Sequence, residues 1–370
     1  MPPDTYESRY AHLLTDYCLG LTPGDRLLVS TTTLAVPLVK EVYREGLRRG
    51  AHVEVDLAWE GRGGTFLREA NDEQLAYVSP LKRAAFETFD AYLAIRAPFN
   101  LRAGAGADPA KTAKRAAATK PLHETYFRRT GTRELRRNLC QYPTHAAAQE
   151  AGMSLADYRD FVFGACKLDA PDPTAAWLEV GRRQQAIVDR LSAATTFRYR
   201  NAESDLTFST EGRTWINSDG RTNMPSGEVY TSPVEDSVEG VIHFDYPALR
   251  GGREVEGVTL YVEGGEIRRW EARRGRDYLD EVFALPGTRR FGEAAIGTNY
   301  AIDRLTRNML FDEKIGGTVH LAIGQSYPQC GGKNESPVHW DLLAGMRDGG
   351  EIAADGEVVY RDGRFVGYEL

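Results

Sequence analysis

The sequence predicts an α/β protein of two domains: an N-terminal Rossmann-like domain with a mostly parallel sheet, and an α+β C-terminal domain. Two observations carry this. The first half alternates short buried-strand runs with amphipathic helical runs, and the second half is built of short strands punctuated by glycine turns. The chain has 370 residues, enough for two hydrophobic cores.

In order, "DRLLVST" (25–31) is an apolar run set off by Pro-Gly and reads as a buried strand. "PLVKEVYREGLRRG" (37–50) spaces Leu38, Val39, Val42 and Leu47 at helical intervals and closes on Gly50. "HVEVDLA" (52–58) and "AYLAIRA" (91–97) are further strands, so the β-α-β order implies crossovers and parallel pairing. Helical spacing returns in "AAWLEVGRRQQAIVDRL" (175–191), and "SAATT" after it marks a domain boundary, giving domains 1–191 and 192–370. Beyond it, "DLTFST" (205–210) and "VTLYVEGGEI" (258–267) read as strands with glycine turns. "GEVVYRDGRFV" (356–366) reads as a hairpin with an Asp-Gly turn.

Composition excludes several function classes. A net charge of −7 argues against a nucleic-acid partner, and the basic run "RRTGTRELRR" (128–137) reads as a solvated helix face. No stretch reaches the ~20 apolar residues of a membrane helix. The N-terminal "MPPDTYESRY" has no apolar signal-peptide core. Cys18, Cys140, Cys166 and Cys330 show no CxxC spacing and read as reduced thiols, which points to a cytoplasmic protein. Neither GxGxxG nor GxxxxGK[ST] occurs, so nucleotide binding is unsupported.

Four C-terminal segments concentrate ligand-type side chains. "NMPSGEVYTSPVEDSVEG" (223–240) carries Glu228, and "FGEAAIGTN" (291–299) carries Glu293. "FDEKIGGTVHLAIGQSYP" (311–328) carries His320 and Tyr327. In "GGKNESPVHWDLL" (331–343), His339 and Asp341 are two apart and share one face of a strand. Singly, each has a plain alternative: a solvated Glu228, a core His320, a packing Tyr327. Together, two His, two Glu, one Asp and one Tyr supply six N/O donors that suit Zn²⁺, Co²⁺, Mn²⁺ or Fe²⁺, with no thiolate. Six donors could hold two ions bridged by a carboxylate, one polarising a carbonyl while an activated water attacks it.

The stretches "GEVYTSPVEDSVEG", "IGTNYAIDRLTRNMLFDEKIGGTVHLAIG" and "GGKNESPVHWD" resemble the thermophilic metallo-aminopeptidase family of aminopeptidases T, S and PepS. The resemblance spans most of residues 200–370. It continues more loosely through "PTHAAAQEAGMSLADYRDFVF" (143–163). It implies metal ligands at Glu228, Glu293, His320, Tyr327, His339 and Asp341, with Glu228, Glu293 and Tyr327 in catalytic roles. It implies two divalent ions, a peptide or small-molecule substrate, hydrolysis of the N-terminal residue of short peptides, and a homodimer. The Tyr327-to-His339 interval is shorter than in longer family members, which bears on pocket shape.

Two other readings stand beside it. The fold also resembles 2,5-dihydroxypyridine dioxygenase, for which Glu293, His339 and Asp341, or His320 in a two-His-one-carboxylate triad, would hold a single iron. A metal-stabilised scaffold is the third, although structural zinc sites are usually closed and often use cysteine. Lys314 and Lys333 are candidate oxyanion partners, and Glu313 and Glu335 are candidate general bases. A spare carboxylate near the ions is also needed to receive the substrate's ammonium group.

Overall fold

A computed structural model describes residues 5–104 and 106–368. The chain divides into two compact units, residues 1–176 with 220–225, and residues 177–219 with 226–370. Among the described residues no helix is long and apolar enough to cross a membrane.

The first unit is built on a five-stranded parallel sheet. Its order is His52–Ala58, Arg26–Thr32, Ala91–Arg96, Arg136–Gln141, then the two-residue strand Asn223–Met224. The expected strands and the helix Val36–Arg48 form where the periodicity puts them, with Leu38, Val39, Val42 and Gly46 buried. Gly46 is required there, because a Cβ would lie 2.5 Å from a methyl of Val53. The final strand was invisible to local pattern: two residues from far along the chain return to pair with Leu139 and Cys140.

The basic run 128–137 is not a solvated helix face. It straddles the end of the helix Pro109–Gly131 and the start of the strand Arg136–Gln141. Buried Arg129 donates to the carbonyls of Phe86 and Phe89 at 2.8 and 3.1 Å. Arg136 pairs with Asp25 at 2.7 Å and donates to the Gly20 carbonyl at 2.7 Å. These guanidiniums satisfy carbonyls that helix and strand ends leave open.

The second unit opens with most of the helix Pro173–Ser192 and then packs two sheets. One has nine strands, including the hairpin Arg253–Glu263/Glu266–Arg274. The C-terminal hairpin turns at Asp362-Gly363, both at positive φ. The other is a five-stranded antiparallel sheet in the order His339–Gly345, Thr318–Gly324, Phe291–Gly297, Glu228–Thr231, Ile216–Ser218. Phe197, Tyr199, Phe208, Phe244 and Leu260 of the first sheet share one core with Val229, Ile296, Leu321, Ile323 and Leu342 of the second. That core occupies one face of the five-stranded sheet. The other face carries the candidate site.

Candidate metal centre

Cross-strand register puts the predicted donors on one face. Residues directly opposite in an antiparallel pair point the same way, and neighbours along a strand alternate. Glu228 is opposite Gly297, Tyr230 and His320 are both opposite Ala295, Glu293 and Asp341 are both opposite Ala322, and His339 is opposite Gly324. Apart from Leu343, which is opposite His320, the residues of these strands that alternate with the donors are alanine or glycine. The small residues leave volume above the sheet, and the next residues along each strand enter the core.

Glu293 reaches this face only through a β-bulge. Phe291 pairs with Ile323 and Glu293 with Ala322, two residues against one. Without the extra residue, Glu293 would follow Phe291 into the apolar core. Gly292 sits at the bulge, where a Cβ would lie 2.3 Å from the Gln325 carbonyl oxygen. Ser232 Oγ donates to the Gly292 carbonyl at 2.7 Å and pins the distortion.

The side chains form a continuous chain of contacts. His339 Nε2 lies 3.1 Å from Glu293 Oε2 and 3.5 Å from Asp341 Oδ1. Donor atoms of these three residues all fall within 4.8 Å of one another, a grouping that could hold a metal ion. His320 Nε2 lies 3.7 Å from Glu293 Oε1 and 3.6 Å from Glu228 Oε2. Tyr327 lies against His339, ring centroids 4.8 Å apart and planes tilted by 48°. The structure thus brings all six predicted residues together.

Electrostatics mark the cluster as cation-seeking. Burial opposes the charged form of His339, but the Asp341 and Glu293 carboxylates override it and push its pKa up to about 12. His320 behaves likewise: burial opposes its charge, and Glu293 and Glu228 raise it to about 9. Burial alone would raise Asp341, yet the imidazole of His339 holds it down at about 2. Tyr327 keeps its proton, driven well above the usual tyrosine range by burial and then by Glu293 and Asp341.

The donor set fits a divalent ion on independent grounds. Glu228 Oε2 and Asp341 Oδ1 are buried carboxylate oxygens that make no hydrogen bond; imidazole nitrogens stand 3.6 and 3.5 Å from them, and a metal ion would satisfy them more closely. The Nδ1 of His339 donates to the Gln325 carbonyl at 2.7 Å, which leaves Nε2, held protonated by the carboxylates, as the nitrogen that would turn to a metal ion on losing that proton. This is the orientation that metal-binding imidazoles adopt.

Sequence reasoning missed one residue and misjudged the setting of another. Tyr230 stands on the site face two residues after Glu228, with its ring 5.4 Å from that of Tyr327; the Glu-x-Tyr alternation was the available signal. The second is Lys314, which is wholly buried and ion-paired with Glu313 and, at 3.5 Å, with Glu228 Oε1. Burial opposes its charge, but Glu228 and Glu313 raise its pKa, so it stays an ammonium. Committed to two carboxylates, it is not free to meet an oxyanion. Lys333 and Glu335 are both exposed on the loop before His339, and the Lys333 backbone N–H donates to Glu235 at 2.6 Å.

A buried, thiol-free set of carboxylates and imidazoles is the donor set of a metal-dependent enzyme, and comparison with known families gives the class, a metalloprotease and therefore a hydrolase. Over residues 4–365 the chain matches the family described as thermophilic metalloprotease (M29), and it belongs to that family. It is 27% identical to Aminopeptidase 2 of Geobacillus stearothermophilus, over 96% of this chain and 94% of that protein. It is 30% identical to Aminopeptidase T of Thermus aquaticus, over 53% of each chain. The wild-type AmpT structure from Thermus thermophilus shares its fold, with a TM-score of 0.84 at 24% identity over 98% of this chain and 99% of that one.

Proposed function

We propose that this metalloprotease is an aminopeptidase that removes the N-terminal residue of short peptides, using Glu228, Glu293, His320, Tyr327, His339 and Asp341 as the metal ligands. The observation that carries this reading is the convergence of Glu293, His339 and Asp341 within 4.8 Å. His320 and Glu228 adjoin that triad at 3.6–3.7 Å. When bound, divalent ions polarise the scissile carbonyl and lower the pKa of a coordinated water.

The chain's own residues do the rest. The Gln325 carbonyl fixes the His339 tautomer. Glu228 and Glu293, each contacting His320, hold the shared middle of the cluster. Tyr327, against the His339 ring, would complete the ligand set with its phenol oxygen. Six N/O donors gathered on one face suit two ions better than one.

The ring-cleaving dioxygenase reading is not favoured, because Glu228 and His320 are surplus to a single iron yet stand against the triad. Elemental analysis and an anilide assay on one preparation test the proposal. About two Zn²⁺, Co²⁺ or Mn²⁺ per chain with EDTA-sensitive hydrolysis of leucine p-nitroanilide supports it. One Fe²⁺ per chain and oxygen uptake with a dihydroxypyridine overturns it. The same reading carries a homodimer and a cytoplasmic location, the former testable by size-exclusion chromatography and the latter in keeping with four cysteines that form no disulfide.

A further inference from the structure

An aminopeptidase must bind a free α-ammonium one carbon from the carbonyl it attacks. The receptor must therefore adjoin the metal ligands without being one of them. On the aminopeptidase reading, we infer that Glu313 is this receptor and that Lys314 holds it in place.

The argument begins with elimination. Glu228, Glu293 and Asp341 are occupied by the imidazoles and the proposed ions. Asp312 is buried but filled: its Oδ1 accepts from the Thr306 backbone N–H at 2.7 Å and from the Thr306 hydroxyl at 2.8 Å. Glu335 is exposed on the loop before His339 rather than buried with the cluster. Glu313 remains, and it adjoins the cluster through Lys314, whose Nζ meets both Glu313 and the metal ligand Glu228.

Its placement suits the role. Glu313 follows the short helix Met309–Asp312, which Asn308 caps and the Asp312–Thr306 bonds brace. Lys314 binds Glu313 Oε1 from the wholly buried side. The Glu313 side chain is 17% exposed against 0% for Lys314, so of the pair it is Glu313 that an arriving group can reach. Lys314 also bridges to Glu228 Oε1 at 3.5 Å, which sets the distance between the receptor and a metal ligand. A carboxylate with one oxygen anchored and the other available is preorganised for a second cation, at little entropic cost.

The experiment uses the metal-loaded enzyme and three variants: Glu313→Gln, Glu313→Asp, and the double variant Glu313→Gln/Lys314→Met. The double variant removes both charges together and so avoids stranding a buried ammonium. Calorimetry measures binding of 3-methylbutan-1-amine and of its neutral counterpart 3-methylbutan-1-ol. Kinetics on leucine p-nitroanilide separate KM from kcat, and metal content is read on each sample. Glu313→Gln and the double variant are expected to weaken amine binding about ten- to a hundredfold and to raise KM similarly, while alcohol binding and metal content hold. Glu313→Asp keeps part of the affinity. Unchanged amine affinity in an active, metal-loaded Glu313→Gln enzyme overturns the assignment alone, and so does a collapse of kcat at constant KM, which would mark a proton-transfer role. Wild-type enzyme inert on every aminoacyl anilide overturns the aminopeptidase reading itself, and this assignment with it.

Discussion

The two faces of the five-stranded sheet are built from the same strands and are about equally buried, yet they are chemical opposites. One presents Val229, Ile296, Leu321, Ile323 and Leu342 to the core. The other presents Glu228, Glu293, His320, His339 and Asp341, separated by Ala295, Gly297, Ala322 and Gly324. Apolar burial stabilises the first face by about 25 cal/mol per Å² removed from water. The second gains nothing comparable, because carboxylates taken out of water are costly until a cation joins them. The core face holds the fold and the site face draws on it.

Metal removal breaks this comparison most sharply. A ligand that binds only the folded protein adds about 2.7 kcal/mol at a hundred times its Kd. EDTA dialysis should therefore abolish peptidase activity and lower the melting temperature by roughly 5–10 °C, given ~2–4 °C per kcal/mol for a unit of this size. Differential scanning calorimetry before and after dialysis, with Zn²⁺ or Co²⁺ added back, measures both. An unchanged melting temperature would mean that the site face carries no stabilising cation.

Next in size is Gly292→Ala. The new methyl would meet the Gln325 carbonyl that orients His339, and the bulge that turns Glu293 outward would have to shift. Disturbing the partner of a metal-binding imidazole costs ~10–100-fold in metal affinity. Titration of the apo-protein with Zn²⁺ checks this, and wild-type affinity in the variant would show that the bulge tolerates a side chain.

The bulge also explains what was legible in the sequence. His339-x-Asp341 needed only strand alternation, and "TVHLAIG" needed only its apolar context to be placed as a strand. Glu293 was found by residue type and family resemblance, since regular alternation from Phe291 would have sent it into the core. Strands buried on both faces lose the polar-apolar alternation that marks a half-exposed strand, so Tyr230 passed unread. The pairing of Asn223–Met224 with Arg136–Gln141 joins segments some eighty residues apart, beyond any local pattern. The basic run was misplaced because composition records charge and not the carbonyls that Arg129 and Arg136 satisfy.

Leu342→Ala sharpens the contrast from the core side. Leu342 follows Asp341 directly but points into the apolar cluster, with 1% of its surface exposed. Truncation there should cost about 2–5 kcal/mol of stability. Denaturant unfolding checks that, and metal stoichiometry per folded chain should stay at the wild-type value. A loss of metal with little loss of stability would mean that the two faces are not separable.

The smallest effect is expected at Lys333, and it is informative because Lys314 offers the control. Both lysines belong to motif segments and both were candidates for meeting an oxyanion. Lys314 proved wholly buried between two carboxylates. Lys333 is exposed, and what the structure uses of it is its backbone N–H, which any residue but proline supplies to Glu235. Lys333→Ala removes a solvated ammonium and keeps that bond, so stability should stay within about 0.5 kcal/mol and kcat/KM within about twofold. Steady-state kinetics on leucine p-nitroanilide decide it. A tenfold fall in kcat would return Lys333 to the reaction as a charge that reaches the substrate, and would make the loop before His339 part of the catalytic apparatus.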